Sequence, residues 1–247
     1  RYGAKGEKRA PRKKATPEQV QKQNQWNKEK LVLRKMRANF EVGDLWITLK
    51  LPKGTKKTAK EMLKIRDKFF RQLRSAYKKH GEILKYMYRI EIGERGGIHI
   101  HVLINGIRGA SMLVRNIWKK NTGGNVNYEP LYEEGGFKRL ADYLVKPIKE
   151  EISGQLTLFG TEEEVKIFCK YGCSRNLLIP EPDTHEYKKR TVRGLIDNGP
   201  TATPGYYIDR DSIRQGTKRY TGMSYYYYTE IRLGEQIEDI WKDGGDG

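Results

Sequence analysis

The chain has 247 residues, 36% of them hydrophobic, enough to bury a core and too many for a wholly disordered chain. A mean hydropathy of −0.82 and the lack of any apolar run near ~20 residues argue against a membrane-spanning helix, and no segment reads as a secretory leader. Cys169 and Cys173 are the only cysteines, which excludes a disulfide framework and fits a reducing, cytoplasmic setting.

Forty-nine Lys and Arg stand against thirty-one Asp and Glu, a formal charge of +18. Such an excess is the electrostatic footprint of a polyanion binder, nucleic acid first. It is concentrated at the start, where residues 1–37 hold thirteen basic and three acidic side chains. A basic arm of this kind grips phosphates without reading bases. Residues 235–247 are acidic and glycine-rich and read as a solvated tail.

In chain order, Thr16-Pro17-Glu18-Gln19 opens a polar, basic helix that should run to about Asn39. Leu45, Ile47, Leu49 and Leu51 alternate with polar neighbours as a half-buried strand. Thr58 and Glu61 form a capping box before an amphipathic helix over 59–79, whose apolar stripe is Met62, Ile65, Phe69, Leu73 and Ala76. Two strands follow, carrying Tyr86, Tyr88, Ile90, Ile92 and Ile98, Ile100, Val102, Ile104 on one face, with a turn at 94–97. Residues 111–120 predict a helix, Val126 and Tyr128 a short strand, and Phe137, Leu140, Ala141, Leu144 and Ile148 a further helix limited by Pro147. Beyond residue 160 the pattern weakens to a helix over 162–171, a loop-rich stretch over 180–216 and a late strand over 223–233. The order β-α-β-β-α-β implies an α+β fold, an antiparallel sheet of ferredoxin or RNA-recognition-motif type with helices on one face.

His99-Ile100-His101 places two imidazoles on one face of a strand, opposite Ile98, Ile100 and Val102. The preceding strand puts Lys85, Met87, Arg89 and Glu91 on the polar face. With a three-residue loop at 94–96, Gly93 pairs with Gly97 and Glu91 lies opposite His99. A two-residue slip would bring Glu91 to His101 instead, and a one-residue slip would turn it to the other face. Glu91, His99 and His101 therefore form a candidate metal site of mixed N/O type, suited to Mn²⁺ or Mg²⁺ with phosphate oxygens completing the shell. Glu94 is a weaker candidate ligand. On the following helix Tyr143 and Lys146 are three apart, so phenol and ammonium can approach one phosphate together. Tyrosine is a poor nucleophile at neutral pH and needs a polarised phosphodiester or a nearby cation.

These residues resemble the HUH endonucleases, which include rolling-circle replication initiators, relaxases and some transposases. Trp46-Ile47-Thr48-Leu49 is similar to the initiators' first motif, Arg95 to Leu103 to the second, and Tyr143 to Lys146 to the third, over about residues 44–150. Cys173-Ser174-Arg175-Asn176-Leu177 also resembles a segment of some bacterial initiators. The resemblance implies that Glu91, His99 and His101 hold the metal, that Tyr143 attacks phosphorus to leave a 5′-phosphotyrosine and a free 3′-OH, and that Lys146 steadies the charge. It implies a single-tyrosine initiator acting on a single-stranded DNA origin or DNA hairpin, with a separate host helicase, since no P-loop motif occurs. Termination with one tyrosine calls for a second subunit, hence a homo-oligomer. The alternatives are a mobilisation relaxase or single-strand transposase of the same chemistry, and a non-catalytic RNA-recognition-motif-like module, which would carry exposed aromatics on its central strands. The expected organisation is a basic arm and helix over 1–40, the endonuclease domain over 41–180, and a C-terminal extension over 181–247.

Other features carry little. Two cysteines without a second pair read as ordinary thiols. Tyr225 to Tyr228 could stack on bases but more often pack, and His80 and His185 have no evident partners in the sequence.

Overall fold

The computed structural model describes residues 15–55, 57–93, 97–131, 137–147, 171–186, 189–217 and 224–233. They fall into two compact units, one of them spanning Gln21–Pro180.

Helix α1 (Pro17–Asn39) starts as its sequence dictates: Gln19 N–H donates to Thr16 Oγ1 at 3.3 Å and Thr16 N–H to Gln19 Oε1 at 3.2 Å. Strand β1 (Leu45–Lys50) follows, then α2 (Ala59–Lys79), opened by a reciprocal Thr58–Glu61 capping box. Strands β2 (Tyr86–Ile92) and β3 (Ile98–Ile104), helix α3 (Ala110–Thr122) and strand β4 (Asn125–Pro130) complete the expected β-α-β-β-α-β order. The sheet runs β4-β1-β3-β2-β5, antiparallel throughout, and its fifth strand is the three-residue edge β5 (Tyr171–Cys173).

Strand alternation sends Ile47, Leu49, Ile90, Ile100, Val102 and Ile104 to one face, where they meet Met62, Phe69, Leu73 and Tyr77 of α2 and Val114 and Trp118 of α3. Each such burial contributes about 1.5–3 kcal/mol relative to exposure. The Trp118 indole N–H ties α3 to the sheet by donating to Lys50 O at 2.9 Å. Gly124 makes room for that contact, since a Cβ there would fall 2.0 Å from Lys50 O.

Helices also cover half of the opposite face. Val32, Met36 and Phe40, four residues apart at the end of α1, join Ala141, Leu144 and Val145 of helix α4 (Lys138–Val145) over Trp46, Met87 and Leu103. The basic N-terminal helix is therefore packed along its second half rather than free. What α1 and α4 leave open is the other half of that face, with Thr48, Lys50, Glu91 and His99.

In the other unit, helix α5 (Lys189–Asn198) precedes strands β6 (Tyr206–Thr217) and β7 (Ser224–Arg232), which pair antiparallel with a register shift between Asp209 and Arg214. The late strand is where the sequence put it, but the loop-rich expectation for 180–216 is overturned by α5 and β6. Asp209, Arg210, Asp211 and Gln215 interrupt the apolar alternation of β6, which has one partner strand and little core to face. The expected helix over 162–171 lies outside the described residues apart from Tyr171, which opens β5. The turn residues 94–96, the first fourteen residues, Cys169 and the acidic tail also lie outside them.

Candidate active site

Strands β2 and β3 pair with Glu91 opposite His99 and Arg89 opposite His101. The Gly93 N–H donates to Gly97 O at 2.8 Å, closing the ends of the three-residue loop as the sequence predicts. Alternation then turns Glu91, His99 and His101 to one face, and the three offer ligand atoms that all lie within 4.8 Å of one another. Glu91 Oε2 is 3.5 Å from His99 Nε2 and 3.2 Å from His101 Nε2.

The far nitrogens of both rings are engaged. His99 Nδ1 lies 3.3 Å from Gly97 O, a carbonyl that can only accept, so the proton belongs on Nδ1 and the Nε2 lone pair faces Glu91. His101 Nδ1 lies 3.2 Å from Thr48 Oγ1 on β1. Outer partners of this kind fix the ring orientation of metal-binding histidines. The Trp46 ring stacks on His101 with centroids 5.5 Å apart and 10° between planes, holding the imidazole from its second face. Two imidazoles and a carboxylate so oriented fit a divalent cation that keeps open positions for oxygen ligands.

Helix α4 brings the other two candidates. Tyr143 Oη donates to Glu91 Oε2 and lies 2.9 Å from His101 Nε2. Its ring stands edge-on to His101 at 5.0 Å and to Trp46 at 6.1 Å. Lys146 does not extend the helix: it caps α4 with φ −50° and ψ 139°. The following Pro147 is the cause, because its ring disfavours helical geometry in the residue before it. This extended residue places Lys146 Nζ 2.5 Å from Glu91 Oε1 and 4.1 Å from the Tyr143 ring centroid. The structure thus brings together all five residues singled out in the sequence: Glu91, His99, His101, Tyr143 and Lys146.

The electrostatics follow from that crowding. Burial alone would raise the Glu91 carboxyl, but hydrogen bonds with His101, His99, Lys146 and Tyr143 together hold it far below the usual carboxylate range. Burial pushes His101 down, against the pull of Glu91, and so favours its neutral, ligating form. Burial pushes the Tyr143 phenol up, and the adjacent Glu91 charge adds to the effect. The phenol is therefore protonated at neutral pH and held by a strong acceptor.

Two expectations need correction here. Arg89 and His101, placed on an exposed face by the strand pattern, are 2% and 9% exposed. Helices α1 and α4 cover that end of the sheet, which a strand-by-strand reading could not anticipate. Nor did the strand pattern assign a role to Arg89, whose Nη1 donates to Leu144 O at 3.0 Å and Lys146 O at 2.7 Å. Gln25 of α1 was equally silent; its Nε2 donates to Val145 O at 2.9 Å. His185 does find a partner, Asp183 at 2.9 Å, with both side chains exposed. Cys173 is a free thiol on β5, with Lys35 Nζ 3.9 Å from its sulfur. The tyrosines of 225–228 lie on β7, in the other unit, where Tyr226 and Tyr228 contact each other.

A five-stranded antiparallel sheet that presents an H-x-H pair beside a helix-borne tyrosine and lysine is consistent with the HUH superfamily. Residues 44–150 match a family model described as a replication-associated protein of the ORF2 kind, which supports a rolling-circle replication initiator. Comparisons with curated proteins and with solved structures each found no match. Among the described residues, no helix is long and apolar enough to cross a membrane.

Proposed function

We propose that this protein initiates rolling-circle replication by nicking a single DNA strand at its origin and rejoining it through a covalent tyrosine intermediate. The observation that carries the reading is the position of Tyr143 Oη, in hydrogen-bond contact with Glu91 and 2.9 Å from His101 Nε2, so that the one candidate nucleophile adjoins the three candidate ligands. A divalent cation held by Glu91, His99 and His101 would polarise the scissile phosphodiester.

The chain's own groups supply the rest. Glu91 and Trp46 orient the phenol and the imidazole before substrate arrives. Tyr143 Oη forms the new bond to phosphorus, and the 3′-oxygen leaves as the free 3′-OH of the nicked strand. Lys146 holds a positive charge beside the attacking oxygen, where the phenol gives up its proton and negative charge builds. Attack of a 3′-OH on the phosphotyrosine reverses the step and reseals DNA with the energy of the broken bond. On the central strands the aromatic Trp46 is buried and packed on His101, which disfavours the base-stacking platform of an RNA-recognition module.

The test is to incubate the protein with Mn²⁺ and single-stranded oligonucleotides tiling its replicon. A denaturant-stable protein–DNA adduct joined through a 5′ phosphate to residue 143 is expected. Nicking without any adduct would point to a metal-activated water and overturn the proposal.

A further inference from the structure

Helix α4 has only eight residues, too few to be stable by itself. Its last carbonyls have no partners within the helix unless something outside supplies donors. Two side chains from two other elements do so. Arg89, in the middle of β2, donates Nη1 to Leu144 O at 3.0 Å and to Lys146 O at 2.7 Å. Gln25, on α1, uses one Nε2 hydrogen for Val145 O at 2.9 Å and the other for Glu29 Oε1 at 2.8 Å. Three consecutive carbonyls at the end of the Tyr143 helix are thus each held by a side-chain donor. The Arg89 guanidinium also places a buried positive charge at the negative end of the helix dipole, in the favourable sense.

From this clamp we infer that Arg89 and Gln25 are positioning residues that set where Tyr143 and Lys146 stand relative to Glu91. The inference rests on the nicking reading given above. The geometry is economical: Arg89 and Glu91 sit two residues apart on one strand, so the group that anchors the helix and the group that receives the phenol share one rigid backbone. Gln25 anchors the same helix end from α1. Neither side chain touches a reacting atom, and their effect passes entirely through α4. A displacement of about 1 Å at a reacting group can cost a hundredfold in rate.

The experiment uses the full chain in three variants, Gln25→Leu, Arg89→Lys and Arg89→Met. For each, the rate of adduct formation at saturating oligonucleotide, the Kd for the same oligonucleotide, and amide hydrogen exchange over 138–146 are measured. Gln25→Leu, at a half-buried position with no charge to strand, keeps the test valid if Arg89→Met does not fold. The expected result is a rate lowered roughly ten- to hundredfold with Kd changed less than about twofold, and faster exchange confined to α4. Arg89→Lys keeps the charge and a donor and should recover part of the rate. Unchanged rates together with unchanged α4 exchange in Gln25→Leu and Arg89→Lys would overturn the clamp. Loss of DNA affinity in step with rate would also overturn it, because that would make these residues part of the binding surface. If the wild type forms no adduct at residue 143 the nicking assignment fails, while faster exchange confined to α4 would still uphold the clamp.

Discussion

Replacing Tyr143 by Phe removes one oxygen, and the structure sets what else should change. The hydroxyl donates one hydrogen bond to an ionised carboxylate, a class of bond worth about 1.5–3 kcal/mol. Glu91 is not stranded by its loss, because Oε1 keeps Lys146 at 2.5 Å and Oε2 keeps His101 at 3.2 Å. The ring retains its edge-on contacts with His101 and Trp46. Removing a buried phenol also removes its own desolvation cost, so the net loss should be about 1 kcal/mol, a fall in Tm of roughly 2–4 °C for a unit of this size. Chemistry should respond without proportion to that loss. No oxygen remains to attack phosphorus, so nicking and the covalent adduct should both vanish, while Mn²⁺ and oligonucleotide binding persist. The assay is a denaturing gel of end-labelled oligonucleotide with protein, followed by peptide mass mapping. An adduct that survives in Tyr143→Phe, or one that maps to Tyr128, Tyr171 or the tyrosines of 225–228, would refute the assignment.

Mn²⁺ at a hundred times its Kd should stabilise the wild type by about 2.7 kcal/mol, read as a rise in Tm; the His99→Ala/His101→Ala double variant should lose that rise, and an unchanged rise would remove these residues from the site. Lys146→Ala should slow adduct formation without abolishing it, and complete loss would mean that Lys146 does more than support charge. Glu91 is held below its usual range, so its contribution to stability is full above a pH of about 4.3 and is lost as the pH falls towards its folded value; acid titration of wild type and Glu91→Gln should converge at low pH, and parallel curves would contradict the linkage. Removing residues 1–14 takes away seven basic and one acidic side chain and should weaken DNA affinity and flatten its salt dependence by roughly 0.7–0.9 in log–log slope for each lost phosphate contact, with saturating chemistry intact. Extending that deletion to residue 37 should unfold the unit, because Val32 and Met36 are fully buried; a stable, metal-binding product would show that the second core is dispensable.

Much of the site was legible because it is built from local rules. The loop length between β2 and β3 fixed the register, and the period of two then put Glu91 beside His99. Both capping boxes lie where Thr16 and Thr58 stand. The remainder depended on partners far away in the chain. Arg89 looks like a solvent-facing strand residue until α1 and α4 close over it. Val32, Met36 and Phe40 recur every four residues, a thin stripe in a helix otherwise polar, and their spacing was the available signal for the second core. Strand β5 has three residues, too short for any periodicity to register. Lys146 was read as helical because its spacing from Tyr143 is helical, although Pro147 had already ruled that geometry out.

The two-faced construction of β2 and β3 has a consequence for fidelity. The pairing that sets Glu91 opposite His99 also sets Ile90 opposite Ile100. A strand slipped by one residue would disassemble the site and expel its apolar row from the core in the same movement. Six buried residues of that row, at roughly 2 kcal/mol each, make such a slip unfavourable by about 12 kcal/mol, or on the order of one molecule in 10⁸ at equilibrium. The core thus acts as a proofreader for the active site, and nonfunctional pairings are removed by hydrophobic sorting before any metal or DNA is present to select against them.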